Sequence, residues 1–158
     1  MDKRDLALNL LQEAYEQQMD GDLEAAIALY KRSIKVLPTA EAHTFLGWTY
    51  SFQRRYADAI RECQKAIEAD PDFGNPYNDI GAYLIEAGRH DEAIPYLKRA
   101  LNAKRYEAYH YPHYNLGRIY LRQGRWWEAL REFEGAVRVA PQDPESRKAL
   151  HNLRGRLN

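Results

Sequence analysis

A chain of 158 residues that is 45% hydrophobic and 29% charged has the length of one domain and an ordinary water-exposed balance, which excludes the disordered and membrane-embedded classes. Twenty-three Lys and Arg offset 23 Asp and Glu, so the formal net charge is zero and no bulk field favours nucleic acid or an anionic membrane. The lone cysteine, Cys63, excludes an intramolecular disulfide, and no apolar run approaches the roughly 20 residues that span a bilayer.

At the amino terminus, Met1 to Glu13 has early positive charges, but Asn9 breaks its apolar segment and it runs straight into an amphipathic helix. It reads as mature, cytoplasmic protein. Helices are predicted in pairs, roughly 5–19 with 23–37, 41–53 with 57–69, 76–87 with 91–104, and 112–123 with 127–139. In the first pair, Asp20-Gly21-Asp22-Leu23-Glu24 supplies a turn and a helix start, followed by Tyr30, Ser33 and Pro38. The second reads Leu46-Gly47-Trp48-Thr49-Tyr50, then Ala59, Cys63, Ala66 and Pro71; the third has Ile80-Gly81, Ala93, Leu97 and Ala100. In the fourth, Leu116-Gly117-Arg118-Ile119-Tyr120 precedes Ala129, Phe133, Ala136 and Pro141. Ala26, Ala59, Ala93 and Ala129 follow one another at 33, 34 and 36 residues. Gly47, Gly81 and Gly117 remove a side chain where the partner helix crosses, and these alanines do the same from the other side, so bulk there is expected to wedge the pair apart. Ala14 stands in the glycine position of the first pair.

Pro38, Pro71 and Pro141 stop the second helices, whereas Pro76 and Pro112 sit just inside first helices, where the missing N–H costs nothing. The third junction, Lys104 to Tyr114, has Arg105 in place of the expected Pro; a helix extended by half a turn with packed tyrosines is expected there, with an aromatic binding ledge as the alternative. Trp126 is expected to plug the space between the two helices of its pair. For Trp127, lateral packing under the third junction and exposure for docking both stay open. Beyond Pro141, residues 144–157 place Ala149, Leu150, Leu153 and Leu157 on one helical face, as a cap over the last pair; that face is too narrow and too poor in aromatics for a membrane surface.

These recurring Leu-Gly, Ala, aromatic and Pro positions resemble the tetratricopeptide repeat over nearly the whole chain. The resemblance implies an all-α fold, a right-handed α-solenoid of antiparallel helix pairs with about nine helices. It implies a single domain, 1–158, with repeats at approximately 7–39, 40–73, 74–109 and 110–143 and a capping helix at 144–157. It also implies that the first helices line a concave groove. Helical register then assigns to the groove Tyr15, Glu41, Thr44, Trp48, Asn75, Asn78, Asp79, Tyr111, Tyr114, Asn115, Arg118 and Arg122, with Gln18 and Met19 beside Tyr15. Phe45, Phe52 and Ile85 are expected to pack between adjacent repeats instead.

Such a floor suits an extended segment or helix with a hydrophobic anchor near Trp48 and an acidic group near Arg118 and Arg122. Some relatives clamp an acidic carboxy-terminal peptide with Lys, Arg and Asn on three successive first helices; here Tyr15 and Trp48 occupy such slots, which argues against that clamp. No convergent catalytic cluster, phosphate loop or zinc motif is evident, and His110 with His113 lacks the further ligands that a metal needs. The expected function is a non-enzymatic adaptor for a protein or peptide segment, without cofactor, metal, nucleic acid or membrane. The alternative is self-assembly into a homo-oligomer by end-to-end stacking or through Trp127.

Overall fold

The computed structural model describes residues 1–158 and contains nine helices: α1 (Lys3–Met19), α2 (Leu23–Val36), α3 (Ala40–Phe52), α4 (Tyr56–Ala69), α5 (Asn75–Glu86), α6 (His90–Leu101), α7 (His110–Arg122), α8 (Trp126–Val139) and α9 (Pro144–Leu157). Four antiparallel pairs therefore precede one final helix. Side-chain caps start several of them: Asp2, Asp22, Thr39 and Asp143 each accept the backbone N–H three residues on, at 2.9–3.1 Å. Only the third junction departs from the predicted bounds by more than two residues, because α6 stops at Leu101.

Within every pair the turn is the same. Two residues before the second helix the backbone is left-handed, at Gly21 (φ +88°), Arg54 (+58°), Gly88 (+78°) and Gly124 (+73°). The next residue donates its N–H back into the first helix: Asp22 to Gln17 O (2.9 Å), Arg55 to Tyr50 O (3.1 Å), Arg89 to Leu84 O (2.8 Å) and Arg125 to Tyr120 O (2.8 Å). This is the Schellman arrangement, which satisfies carbonyls that the helix end would leave bare.

The crossings depend on missing side chains. A β-carbon on Gly81 or Gly117 would collide with Leu97 or Phe133, and one on Gly47 would lie 2.9 Å from the Ala59 carbonyl oxygen and 3.2 Å from Cys63 Sγ. Ala26, Ala59, Ala93 and Ala129 are fully buried opposite, and Ala14 is fully buried in the first pair. Tyr30, Cys63, Leu97 and Phe133 share one slot in successive pairs and fill it completely. Burial pushes the Cys63 thiol well up, so it behaves as a small hydrophobe.

The core runs without a break from Leu10 to Leu153. On α9, Leu150 and Leu153 are buried, so this helix covers the flank of the last pair. Trp126 departs from expectation: it is 40% exposed, and Trp127 is 64% exposed. Tyr56, its equivalent in the second pair, stacks on Tyr83 of α5 at 6.3 Å, whereas α9 has no Phe, Tyr or Trp to receive Trp126.

No half-turn extension occurs at the third junction. Residues 102–109 leave the helix, and Arg105 forms a parallel bridge with Phe73. The Arg105 N–H donates to Asp72 O at 2.9 Å, and its carbonyl accepts the Gly74 N–H at 3.0 Å. The tyrosines do pack: the Tyr106 ring lies directly over Gly74 and edge-on to Tyr109, whose hydroxyl donates to Ala103 O at 2.8 Å.

First helices also touch one another, α1 with α3, α3 with α5 and α5 with α7, and no comparable contact joins successive second helices. The stack therefore curves toward α1, α3, α5 and α7, and their outward stripes form its inner face.

Candidate functional site

Three neighbouring cavities mark the inner face. The largest, about 790 Å³, lies between α1, α3 and α5. Leu8, Leu11, Gln12 and Tyr15 come from α1; Glu41, Thr44, Phe45 and Trp48 from α3; Phe73 from the link before α5; and Asn75 and Asp79 from α5. Trp48 also lines a second cavity of about 410 Å³ with Gln18, Met19, Leu23 and Phe52. Phe73 and Asn75 border a third of about 510 Å³, whose other wall is Lys104 to Ala108.

Six of the twelve residues assigned to the groove from the sequence, Tyr15, Glu41, Thr44, Trp48, Asn75 and Asp79, thus surround one cavity. Thr44 is nearly buried there, its hydroxyl donating to Ala40 O at 2.7 Å. Asn78 and Asn115 depart from expectation: both are buried, because Asn115 Nδ2 donates to Asn78 Oδ1 at 3.1 Å and joins α5 to α7. The two helices approach closely enough here for the amides to satisfy each other. Gln18 is buried for a similar reason, accepting the Tyr30 and Thr49 hydroxyls, each at 2.8 Å. Phe52 departs in the opposite sense, being 56% exposed and edge-on to Trp48 at 5.1 Å, while Ile85 is buried and Phe45 partly so.

The α7 end is separate from these cavities. Tyr111 and Arg122 are exposed, and Tyr114 and Arg118 are half-buried. Arg118 lies over the Tyr114 ring at 5.8 Å, donates to Asn115 Oδ1 at 3.2 Å and stands 3.7 Å from Glu86. That loose pair leaves the arginine available to another anion.

Arg105 and Phe73 escaped the sequence reading. The Arg105 guanidinium sits 4.1 Å over the Phe73 ring and pairs with Glu41 at 2.8 Å and Asp70 at 2.7 Å. Its hydrogen bond holds the Asp70 carboxyl below the usual range. A basic residue in place of the junction proline was the one available signal. Asp79 has no such cation. Burial pushes its carboxyl up to about 7, against a weaker opposing hydrogen bond from Asn78. His110 and His113 do not converge: His113 Nδ1 lies 2.8 Å from Glu132, whereas the His110 ring packs against Tyr111 at 4.1 Å.

The family model for the tetratricopeptide repeat matches residues 72–142, and a second model of that repeat matches 40–73. The chain belongs to the tetratricopeptide repeat family. Proteins of this family are generally interaction adaptors and are typically non-enzymatic. Small glutamine-rich tetratricopeptide repeat-containing protein 2 of Saccharomyces cerevisiae is 29% identical over 97 residues, which cover 61% of this tetratricopeptide repeat chain and 28% of that relative. The chain thus spans under a third of the curated relative's length. Among solved structures, pilF of Pseudomonas aeruginosa superposes with a TM-score of 0.88 at 22% identity, covering 96% of this chain and 68% of that one. YrrB, described as a tetratricopeptide repeat protein with an unusual peptide-binding site, gives 0.71 at 22% identity, with 95% and 77% covered. Both likenesses are of fold. No helix is long and apolar enough to cross a membrane.

Proposed function

We propose that this chain is a non-enzymatic adaptor, a single domain that binds a segment of another protein along its inner face. The observation that carries the reading is Trp48, which stands between two cavities and offers an aromatic wall to each. A large, partly open aromatic flanked by pockets is the usual form of an interface anchor. Arg118 and Arg122 supply the far end with groups for an acidic residue of the same segment. The reducing cytosol suits its lone, buried thiol. The test is capture of a protein segment by the full chain and by variants: Trp48→Ala and Arg118→Glu should each reduce capture at least about tenfold with helicity unchanged. Undiminished capture by both variants would remove the inner face as the site.

A second reading is favoured by one observation. Trp126 and Trp127, consecutive in the chain, are both exposed at the start of α8, as residues of a self-association surface would be.

A further inference from the structure

The main cavity combines aromatic walls with carboxylates and contains no base. Tyr15, Phe45, Trp48 and Phe73 provide four rings, with Tyr15 edge-on to Phe45 at 5.8 Å and Phe45 tilted against Trp48 at 6.3 Å. Glu41 and Asp79 are the ionisable acids among the lining residues, and no Lys, Arg or His joins them. Aromatic faces and carboxylates attract the same kind of ligand, a cation on an apolar stem.

The molecule already uses this chemistry at the rim. Arg105 lies over the Phe73 ring and reaches Glu41, so one ring and one carboxylate are engaged from within. Asp79 is left over: it forms no ion pair. Its amide neighbours extend in the other direction, from Asn78 to Asn115 to Arg118. A line of hydrogen bonds thereby separates an uncompensated acid at the α5 end from an arginine at the α7 end.

We infer that the cavity receives a lysine or arginine side chain of the bound segment, its charge on Asp79 and its aliphatic stem along Phe45 and Trp48. This deepens the inner-face reading and rests on it. It also orients the segment, with the basic residue toward α1, α3 and α5 and any acidic residue toward Arg118 and Arg122.

A small-molecule probe tests the cation without requiring the natural partner. In the full chain, the Trp48 indole resonance is followed by NMR during titration with n-hexylammonium and with n-hexanol. Tighter binding of the ammonium, by about tenfold, is expected, and Asp79→Asn should equalise the two. The preference should also strengthen from pH 6 to pH 8, as the Asp79 carboxyl, held near 7, ionises. Around Asp79 the other titratable groups are Glu41 on α3, Tyr15 on α1, Cys63 on α4, Tyr83 on α5 and Tyr106 in the junction; burial holds Cys63, Tyr83 and Tyr106 protonated through that range. Equal binding of ammonium and alcohol, or a preference that survives Asp79→Asn, overturns the inference. A random peptide library selected on the same chain separates this from the parent reading. Trp48-dependent peptides enriched in Lys or Arg support both, Trp48-dependent peptides without enrichment overturn only the cation, and no Trp48-dependent peptide removes both.

Discussion

Arg54 occupies a position that glycine fills in the other three helix pairs, with the same left-handed backbone and the same turn. A β-carbon in that region clashes with the following carbonyl, and the exposed Arg54 side chain makes no bond that offsets the cost. Arg54→Gly should therefore raise stability by about 1 kcal/mol, seen as a higher urea midpoint at unchanged slope. An unchanged midpoint would show that the turn absorbs the strain. The glycines and alanines at the crossings were readable from spacing, because close packing alone requires them. Asn78 and Asn115 were less readable, because one helical stripe carries both solvent-facing and helix-facing residues. The distance between α5 and α7 decides which, and a single sequence does not contain it.

At the scale of elements, the third junction is where local pattern gave way to pairing across distance. Register and composition pointed to more helix after Leu101, but Arg105 finds its backbone partners at Asp72 and Gly74. Nothing near 105 in the chain announces a partner more than thirty residues back. The junction fits because Gly74 leaves room for the Tyr106 ring, and a β-carbon there would overlap it. Gly74→Ala should cost about 1–3 kcal/mol, measured by thermal or urea unfolding, because the added methyl meets the Tyr106 ring and alanine is also a poor residue at the N-cap that Gly74 occupies. A neutral result would mean that Tyr106 swings away freely and that the bridge does not depend on its ring. Trp126 shows the same limit: its slot is defined by what the next pair offers, and the next element is a single helix without an aromatic.

For the whole molecule, the repeated pairs made the solenoid legible from periodicity, whereas its state of association depends on surface that no periodicity describes. Light scattering across a range of concentrations should return the mass of one copy, 18.5 kDa. A mass that climbs with concentration and reverts in Trp127→Ser would put self-assembly ahead of adaptor binding. The bridge between Phe73 and Arg105 governs how the array comes apart. Stacked repeats ordinarily melt from their ends, each unit held only by its neighbours' faces. Here the segment entering α5 is fastened to the segment leaving α6, so the third unit is a ring whose two exits are tied together. Fraying that arrives from α9 meets a closed loop at this point, and opening it requires both exits to be released at once.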